Sequence, residues 1–314
     1  MSWPPPDVDT VRQFFFTPSY ACDEDCLMCG VPRVVRRSGS RFAVEHWRDE
    51  IDRMGLLPRD ILTFSGGEPL RAPTFAAAVE HARSHYGCRI WVLSNGRRLY
   101  DRRFAEKVAA LGIEKLVVPV FSHDPAVHDR ITQTRGSFAQ TWSGLRHLAA
   151  LGQKFQIKFI ATALNHGDAL DTYRMCRAEF PQARFVFSGL TMFGEAVANA
   201  DQVAVRYADV APSLDALLAE ADGRGDLVPV FIFPLCHIDG LFWRHYNVGE
   251  FEEVVVAPDR QDRADGRTLE EGPKPEPCRG CAARRRCVFG WKPAYHERFG
   301  DGEFRQIRSD PLAA

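Results

Sequence analysis

The sequence predicts an α/β protein built on a parallel sheet, closed by a cysteine-rich extension. Three observations carry this expectation. Apolar, β-branched runs recur about every thirty residues, and most are followed by a stretch with helical periodicity, the pattern of βαβ units. The rhythm then fails after about residue 190, and a Pro-, Gly- and charge-rich stretch from Val256 leads into a dense cysteine tail.

The runs that read as strands are Phe14–Ser19, Ile61–Ser65, Ile90–Leu93, Leu116–Ser122, Phe155–Thr162 and Arg184–Ser188. Between them, Phe104, Val108 and Leu111 mark one helix that Gly112 stops. Phe138, Trp142 and Leu145 mark another, with Ser137 and Gln140 as a capping-box pair and Gly152 at its end. Beyond the sixth unit the sequence predicts a helix near Pro212–Ala221, a strand at Val228–Phe233 and an irregular connection. A barrel-like domain therefore gives way to an accessory region between residues 190 and 230.

Of 314 residues, 45% are hydrophobic and 26% charged, as in a folded globular chain with a substantial core. The net charge of -1 supplies no field to gather nucleic acid or an anionic membrane. There is no run of 18 apolar residues for a membrane-spanning helix. The opening MSWPPPDVD lacks the basic and apolar regions of a secretory signal. Nine cysteines, mostly in close-set groups, then point to metal binding rather than a disulfide framework, and to the cytoplasm.

Cys22-Asp-Glu-Asp-Cys26-Leu-Met-Cys29 follows the first strand directly, on the loop where α/β barrels carry their reactive groups. Cubane iron–sulfur clusters are usually held by four thiolates. Three thiolates leave one iron open for a small molecule that supplies nitrogen or oxygen. The alternative is buried or zinc-binding cysteines. Zinc needs a fourth ligand, no His lies close by, and the spacing differs from the common zinc motifs.

This CDEDCLMC segment is similar to the C-x3-C-x2-C signature of the radical S-adenosylmethionine (SAM) superfamily, with Met28 where members commonly carry an aromatic residue. Ser65-Gly66-Gly67-Glu68-Pro69, after the second strand, resembles the superfamily's GGEP motif, which contacts the methionyl amino group. Ser94-Asn95-Gly96 is similar to its Ser/Thr-Asn-Gly turn. Ser122 and Asn165, past the fourth and fifth strands, match further positions. The resemblance thus assigns Gly66, Gly67, Glu68, Pro69, Ser94, Ser122 and Asn165 to SAM binding. His128-Asp129-Arg130 with Arg135-Gly136-Ser137-Phe138 resembles a segment of peptide-modifying members; there an Arg pairs with a carboxylate, or the segment is a solvated loop before a capped helix.

Cys278-Arg-Gly-Cys281, followed by Cys287, is similar to the C-terminal auxiliary-cluster motif of the SPASM and twitch subfamilies. Cys236 is the candidate fourth ligand, because a long loop costs little to close. The same four cysteines also suit a structural zinc, and an open three-cysteine cluster is the third possibility. The tail is too cysteine-poor for two auxiliary clusters. Cys88 and Cys176 read as small buried hydrophobes, and His237 as a structural histidine. Gly189–Gly194, the FPLC segment and the tail through Trp291 look most like maturases of the His-Xaa-Ser type.

The resemblance implies a partial (β/α)6 TIM-like barrel over residues 1–200 and a SPASM/twitch-like auxiliary-cluster region over 201–314. It implies a SAM-binding [4Fe-4S] cluster, SAM itself and an auxiliary [4Fe-4S] cluster. Reductive cleavage of SAM would yield a 5'-deoxyadenosyl radical that abstracts hydrogen from a peptide side chain, with a flavodoxin or ferredoxin as electron donor. The alternatives are a radical oxidation of a small metabolite, or a non-catalytic zinc- or cluster-binding interaction module. About 13 residues precede the first strand, too few for a separate leader-binding domain.

Overall fold

The structure is a computed structural model that describes residues 11–38, 46–246, 252–257, 260–262, 274–284, 286–287 and 293–309. Most of the irregular connection, and Trp291, lie outside the described residues. Six predicted strands are present: β1 (Arg12–Phe16), β2 (Ile61–Phe64), β3 (Arg89–Leu93), β4 (Lys115–Pro119), β5 (Phe155–Ile160) and β6 (Arg184–Ser188). A seventh, β7 (Val230–Phe231), is shorter than the Val228–Phe233 run that forecast it. Residues read as strand ends, such as Thr17–Ser19 and Val120–Ser122, leave the sheet and form the loops that carry the site.

Strands β1 to β7 lie side by side in chain order, every pair parallel. Such an order demands a crossover after each strand, and helices supply most of them: α1 (Arg33–Ser38), α2 (His46–Arg53), α3 (Phe75–Tyr86), α4 (Arg102–Ala110), α5 (Pro125–Thr132), α6 (Ser137–Ala150) and α7 (Ala169–Glu179). The short α8 (Glu195–Ala198) and α9 (Ala200–Val203) follow, then α10 (Tyr207–Gly223). The result is a sheet of parallel strands that curls into a partial barrel. In β3, β4 and β5 buried residues alternate with half-buried ones. Ile90, Val92, Leu116, Val118, Ile157 and Phe159 belong to the buried set and join the hydrophobic core.

Two further strands flank β1: β8 (Glu252–Ala257), parallel to it, and β9 (Arg260–Asp262), antiparallel to β8. They correct the expectation of irregular chain from Val256. The β-branched Val254-Val255-Val256 was the available signal, masked by the two glutamates before it. Strands β7 and β8 both lie beyond residue 200 yet belong to the same sheet.

Helix α10 begins at Tyr207 rather than near Pro212, which sits inside it. The capping box expected at α6 is absent. Gly136 is the cap residue, and the Asp129 carboxylate instead accepts from the amides of Gly136 and Phe138 and from the Ser137 hydroxyl. A carboxylate from the preceding helix thus fills the role assigned to Ser137 and Gln140. Helix α11 (Pro293–Phe299) closes the described chain's secondary structure.

Candidate active site

The cysteine loop is laid across the C-terminal rim of the barrel. It extends the β1–β2 pairing, since Ser65 N donates to Phe16 O, Gly67 N to Ser19 O (3.0 Å) and Glu68 N to Ala21 O (2.8 Å). That contact is possible only without side chains on the opposing loop. A Cβ at Gly67 would lie 2.3 Å from Ala21 O, and one at Gly66, whose φ is +104°, would lie 2.1 Å from Thr17 Cγ2. The two glycines therefore bring the motif against the cysteine loop.

Other rim loops hold the same segment. Asn95, after β3, donates to Asp23 Oδ1 (2.8 Å), and Arg97 donates to the Asp23 carbonyl. Asp25 N and Leu27 N bond the carbonyls of Thr132 and Ile131 at the end of α5. From the loop after β6, Glu195 N donates to Cys29 O (2.8 Å) and Asn199 to Leu27 O (3.0 Å). Gly194 completes this seam, because a Cβ there would lie 2.4 Å from Gly30 O.

Cys22, Cys26 and Cys29 are free and half-buried on this loop. Burial pushes the Cys22 thiol up to about 12, aided by nearby Glu68, Glu24 and Asp23. Burial also raises Cys26 well above the usual range, and the neighbouring Glu24, Cys29 and Cys22 add to it. Without a cation these thiols stay protonated; a bound metal cluster supplies the positive charge that makes them thiolates. Arg36, 7% exposed, bonds both Asp25 and the Cys29 thiol and places a guanidinium beside the site. Buried Glu24, pushed up to about 8 chiefly by desolvation, accepts from Cys26 and leaves its Oε1 without a hydrogen bond.

The remaining residues assigned to SAM contacts are engaged within the protein. The Glu68 carboxylate accepts from Leu70 N, Ser94 Oγ and Asn95 N, so it clamps its own turn to the β3 loop. Burial raises it to about 7 against those three bonds. Pro69 opens a short 3-10 turn behind it. Ser122 donates to Asp168 and accepts from Asp124 N. Asn165 accepts from Thr162 and donates to Phe121 O and Ile160 O, joining the ends of β4 and β5. His128 receives the Phe121 amide, Asp129 caps α6, and Arg130 and Arg135 are exposed. The segment resembling peptide-modifying members thus has a structural duty.

A second group of thiols gathers beside the barrel. Cys236, Cys278, Cys281 and Cys287 line one recess of about 360 Å³, together with Lys274, Arg284, Arg305, Phe304 and Ile307. Cys236 is pushed up to about 11 by burial, with Cys287 and Cys278 close enough to contribute. Three cations around four thiols suit a ligand set that becomes anionic. Among the described residues, no three Cys, His, Asp or Glu side chains converge around a point as a single metal ion requires.

Sequence reasoning missed the segment that walls this recess, Glu303–Ile307. It carries no motif, and only Phe304 hints at burial. His237 lies 3.8 Å from Glu303 and packs on Tyr207 and Phe304 as a buried structural residue. Cys88 and Cys176 are buried outside both groups.

A model of the Radical SAM superfamily matches residues 16–176, from the end of β1 to α7. The chain belongs to the radical SAM superfamily. Members are iron–sulfur-dependent enzymes that use SAM. The chain is 25% identical over 192 residues to the AdoMet-dependent heme synthase of Nitratidesulfovibrio vulgaris, covering 60% of this chain and 52% of that protein. To the Methanosarcina barkeri protein of the same name it is 24% identical over 166 residues, covering 53% and 47%. The chain spans about half the length of these curated relatives. Among solved structures it is similar to Streptococcus suis SuiB bound to the precursor peptide SuiA, with a TM-score of 0.60 at 12% identity, covering 82% of this chain and 62% of that one. It is also similar to anSMEcpe with bound AdoMet and the Cp18Cys peptide, with a TM-score of 0.55 at 14% identity, covering 69% and 62%. At these identities the likeness is one of fold.

Proposed function

We propose that this chain cleaves SAM reductively and uses the radical so formed to take hydrogen from a peptide side chain, in an oxidative modification or crosslink. The observation that carries the reading is the loop after β1, with three half-buried free thiols locked onto the rim by Gly66 and Gly67. Cys22, Cys26 and Cys29 would hold the [4Fe-4S] cluster, and Cys236, Cys278, Cys281 and Cys287 an auxiliary one. A cluster held by Cys22, Cys26 and Cys29 would bind SAM and supply the electron for its reductive cleavage to methionine and a 5'-deoxyadenosyl radical.

This chain's residues position that chemistry. Arg36 offsets negative charge at Cys29, Glu68 fixes the geometry of its loop, and Ser122 and Asn165 brace the rim beside it. In this reading Gly66, Gly67 and Pro69 shape the SAM-binding edge through backbone groups, while Ser94 acts through Glu68. We assign residues 1–200 to the barrel core and 201–314 to the auxiliary region, whose strands β7 and β8 extend the barrel's own sheet at its two edges. Free cysteines fit a cytoplasmic enzyme reduced by a flavodoxin or ferredoxin. Among the described residues, no helix is long and apolar enough to cross a membrane.

The SuiA and Cp18Cys peptides named with the two solved structures support a peptide substrate. The sequence likeness to heme synthases favours a second reading, oxidation of a small metabolite. Anaerobic reconstitution tests the enzyme: brown protein with about eight irons, four per cubane, and deoxyadenosine under reductant are expected. Colourless protein with stoichiometric zinc defeats it in favour of a non-catalytic module. A precursor peptide encoded beside the gene separates the substrate readings, because its modification, followed by mass spectrometry, is expected only under the first.

A further inference from the structure

The wall of the second cysteine recess is a segment without regular secondary structure that no motif announces. Ile307 N donates to the Cys281 sulfur (3.5 Å). Two residues earlier, the backbone of Arg305 lies close enough to Cys236 to counter the effect of burial on its thiol. One short strap thus lies against two of the four cysteines. Its side chains add to this, since Arg305 Nε donates to Cys236 O (2.9 Å) and its guanidinium lines the recess.

The strap is held in place at both ends. Upstream, Phe304 is 5% exposed and packs against His237, Tyr295 and His296. Glu303 accepts from Ala208 N (2.9 Å) and from the Tyr295 hydroxyl. Downstream, Ala282 N donates to Ile307 O (2.8 Å), tying the strap to the turn that carries Cys281. Contacts within the protein therefore fix the strap against the cysteine-bearing turns.

We propose that the Phe304–Ile307 strap is a positioning element for the second cluster, in which the Ile307 amide hydrogen-bonds the Cys281 sulfur, with the Arg305 side chain tied to the Cys236 carbonyl beside it, and holds the cluster's reduction potential up. The inference rests on the reading of Cys236, Cys278, Cys281 and Cys287 as a [4Fe-4S] site. Reduction adds one negative charge to the cluster and its thiolates, and an N–H aimed at sulfur stabilises the more negative state. Removing a donor lowers the potential of this cluster alone. Nothing in the strap reaches the loop of Cys22, Cys26 and Cys29 in any hydrogen bond described for it.

The experiment uses the reconstituted 314-residue chain, with iron counted and the midpoint potential of each cluster followed by EPR-monitored redox titration. Ile307→Pro deletes one donor, Ile307→Val keeps it, and Phe304→Ala loosens the anchor. The expected result is a lower potential for the second cluster in Ile307→Pro and Phe304→Ala, with the first cluster and Ile307→Val unmoved. Full iron with an unmoved potential in Ile307→Pro overturns the inference alone. Iron for a single cluster in the unsubstituted chain overturns the four-cysteine reading, and this inference with it. If Ile307→Pro loses the second cluster, pulsed EPR of the unsubstituted chain in deuterium oxide decides. Exchanged deuterons coupled to the second cluster uphold the strap, and their absence overturns it.

Discussion

Cys22, Cys26 and Cys29 each differ in what surrounds the sulfur: Glu24 N bonds Cys22, the Glu24 carboxylate accepts from Cys26, and Arg36 meets Cys29. Replacing any of the three by Ala is expected to abolish deoxyadenosine formation in a chromatographic assay under reductant. Replacing Cys278, Cys281 or Cys287 should spare part of it. His128 bears on stability instead. Its Nδ1 accepts the Phe121 amide (3.2 Å), so the ring is neutral, and burial lowers it to about 4. The unfolded chain protonates this residue near its ordinary value of 6.5, so its stabilising contribution is complete above that pH and is lost as pH falls toward 4. The loss amounts to about 3 kcal/mol at about 1.36 kcal/mol per pKa unit. Buried Glu68, raised to about 7, contributes with the opposite sign, losing stability as pH rises from its ordinary 4.5 toward 7. Urea unfolding of the parent and His128→Asn at pH 5 and 7.5 isolates the histidine; the parent is expected to lose more stability on acidification than the variant. The two groups of thiols were legible because close spacing along the chain already brings most of the sulfurs together. The duties of Glu68, His128, Asp129 and Asn165 were not, because a polar residue at a strand end reads alike whether it faces a ligand or a neighbouring loop.

Among the elements, the loops after β1 and β2 depend on each other. Gly67→Ala places a methyl group against backbone at Ala21, a contact that no rotamer relieves. The expected cost is about 1 to 3 kcal/mol, as for overpacking in general, with iron at the first site lost before global unfolding. Thermal melts and iron analysis on the same sample check both. Asp129→Ala frees the amides of Gly136 and Phe138 at the start of α6 and should lower stability by about 1 to 2 kcal/mol, the value of a helix cap. Strands β1 to β6 were readable because each is an apolar run of ordinary length between turn residues. Strand β8 was not, since EEVVVA splits its polarity midway and pairs with a strand far away in sequence. Helix α10 was read late because Pro212 looks like a first-turn residue, whereas it sits one turn further in.

At the scale of the molecule, two thiol groups occupy one sheet-centred body, the first on the barrel rim and the second in a recess walled by chain from both before and after residue 280. Ligands that bind only the folded state raise its stability by mass action. Iron chelation is accordingly expected to lower the melting temperature, with the recess loosening first because Cys236, Cys278, Cys281, Cys287 and the Phe304–Ile307 strap, from three separate stretches of chain, converge on it. Hydrogen exchange at Ala282 and Ile307 before and after chelation reads this out. The barrel itself was announced by alternation alone. The recess was announced only by its cysteines, since its remaining walls are ordinary arginines, a lysine and a phenylalanine.

The pairing of β1 with β8 has a consequence for how this protein comes into being. On a ribosome, the strand that introduces the cysteine loop emerges before the other described strands, and β2 is the first to cover one of its edges. Its other edge stays bare until Ala257 has been synthesised. A bare parallel edge is an invitation to foreign strands, so the nascent chain is most vulnerable to misassociation between the appearance of β2 and that of β8, and iron delivered early would meet a loop whose supporting strand is still flanked on one side only.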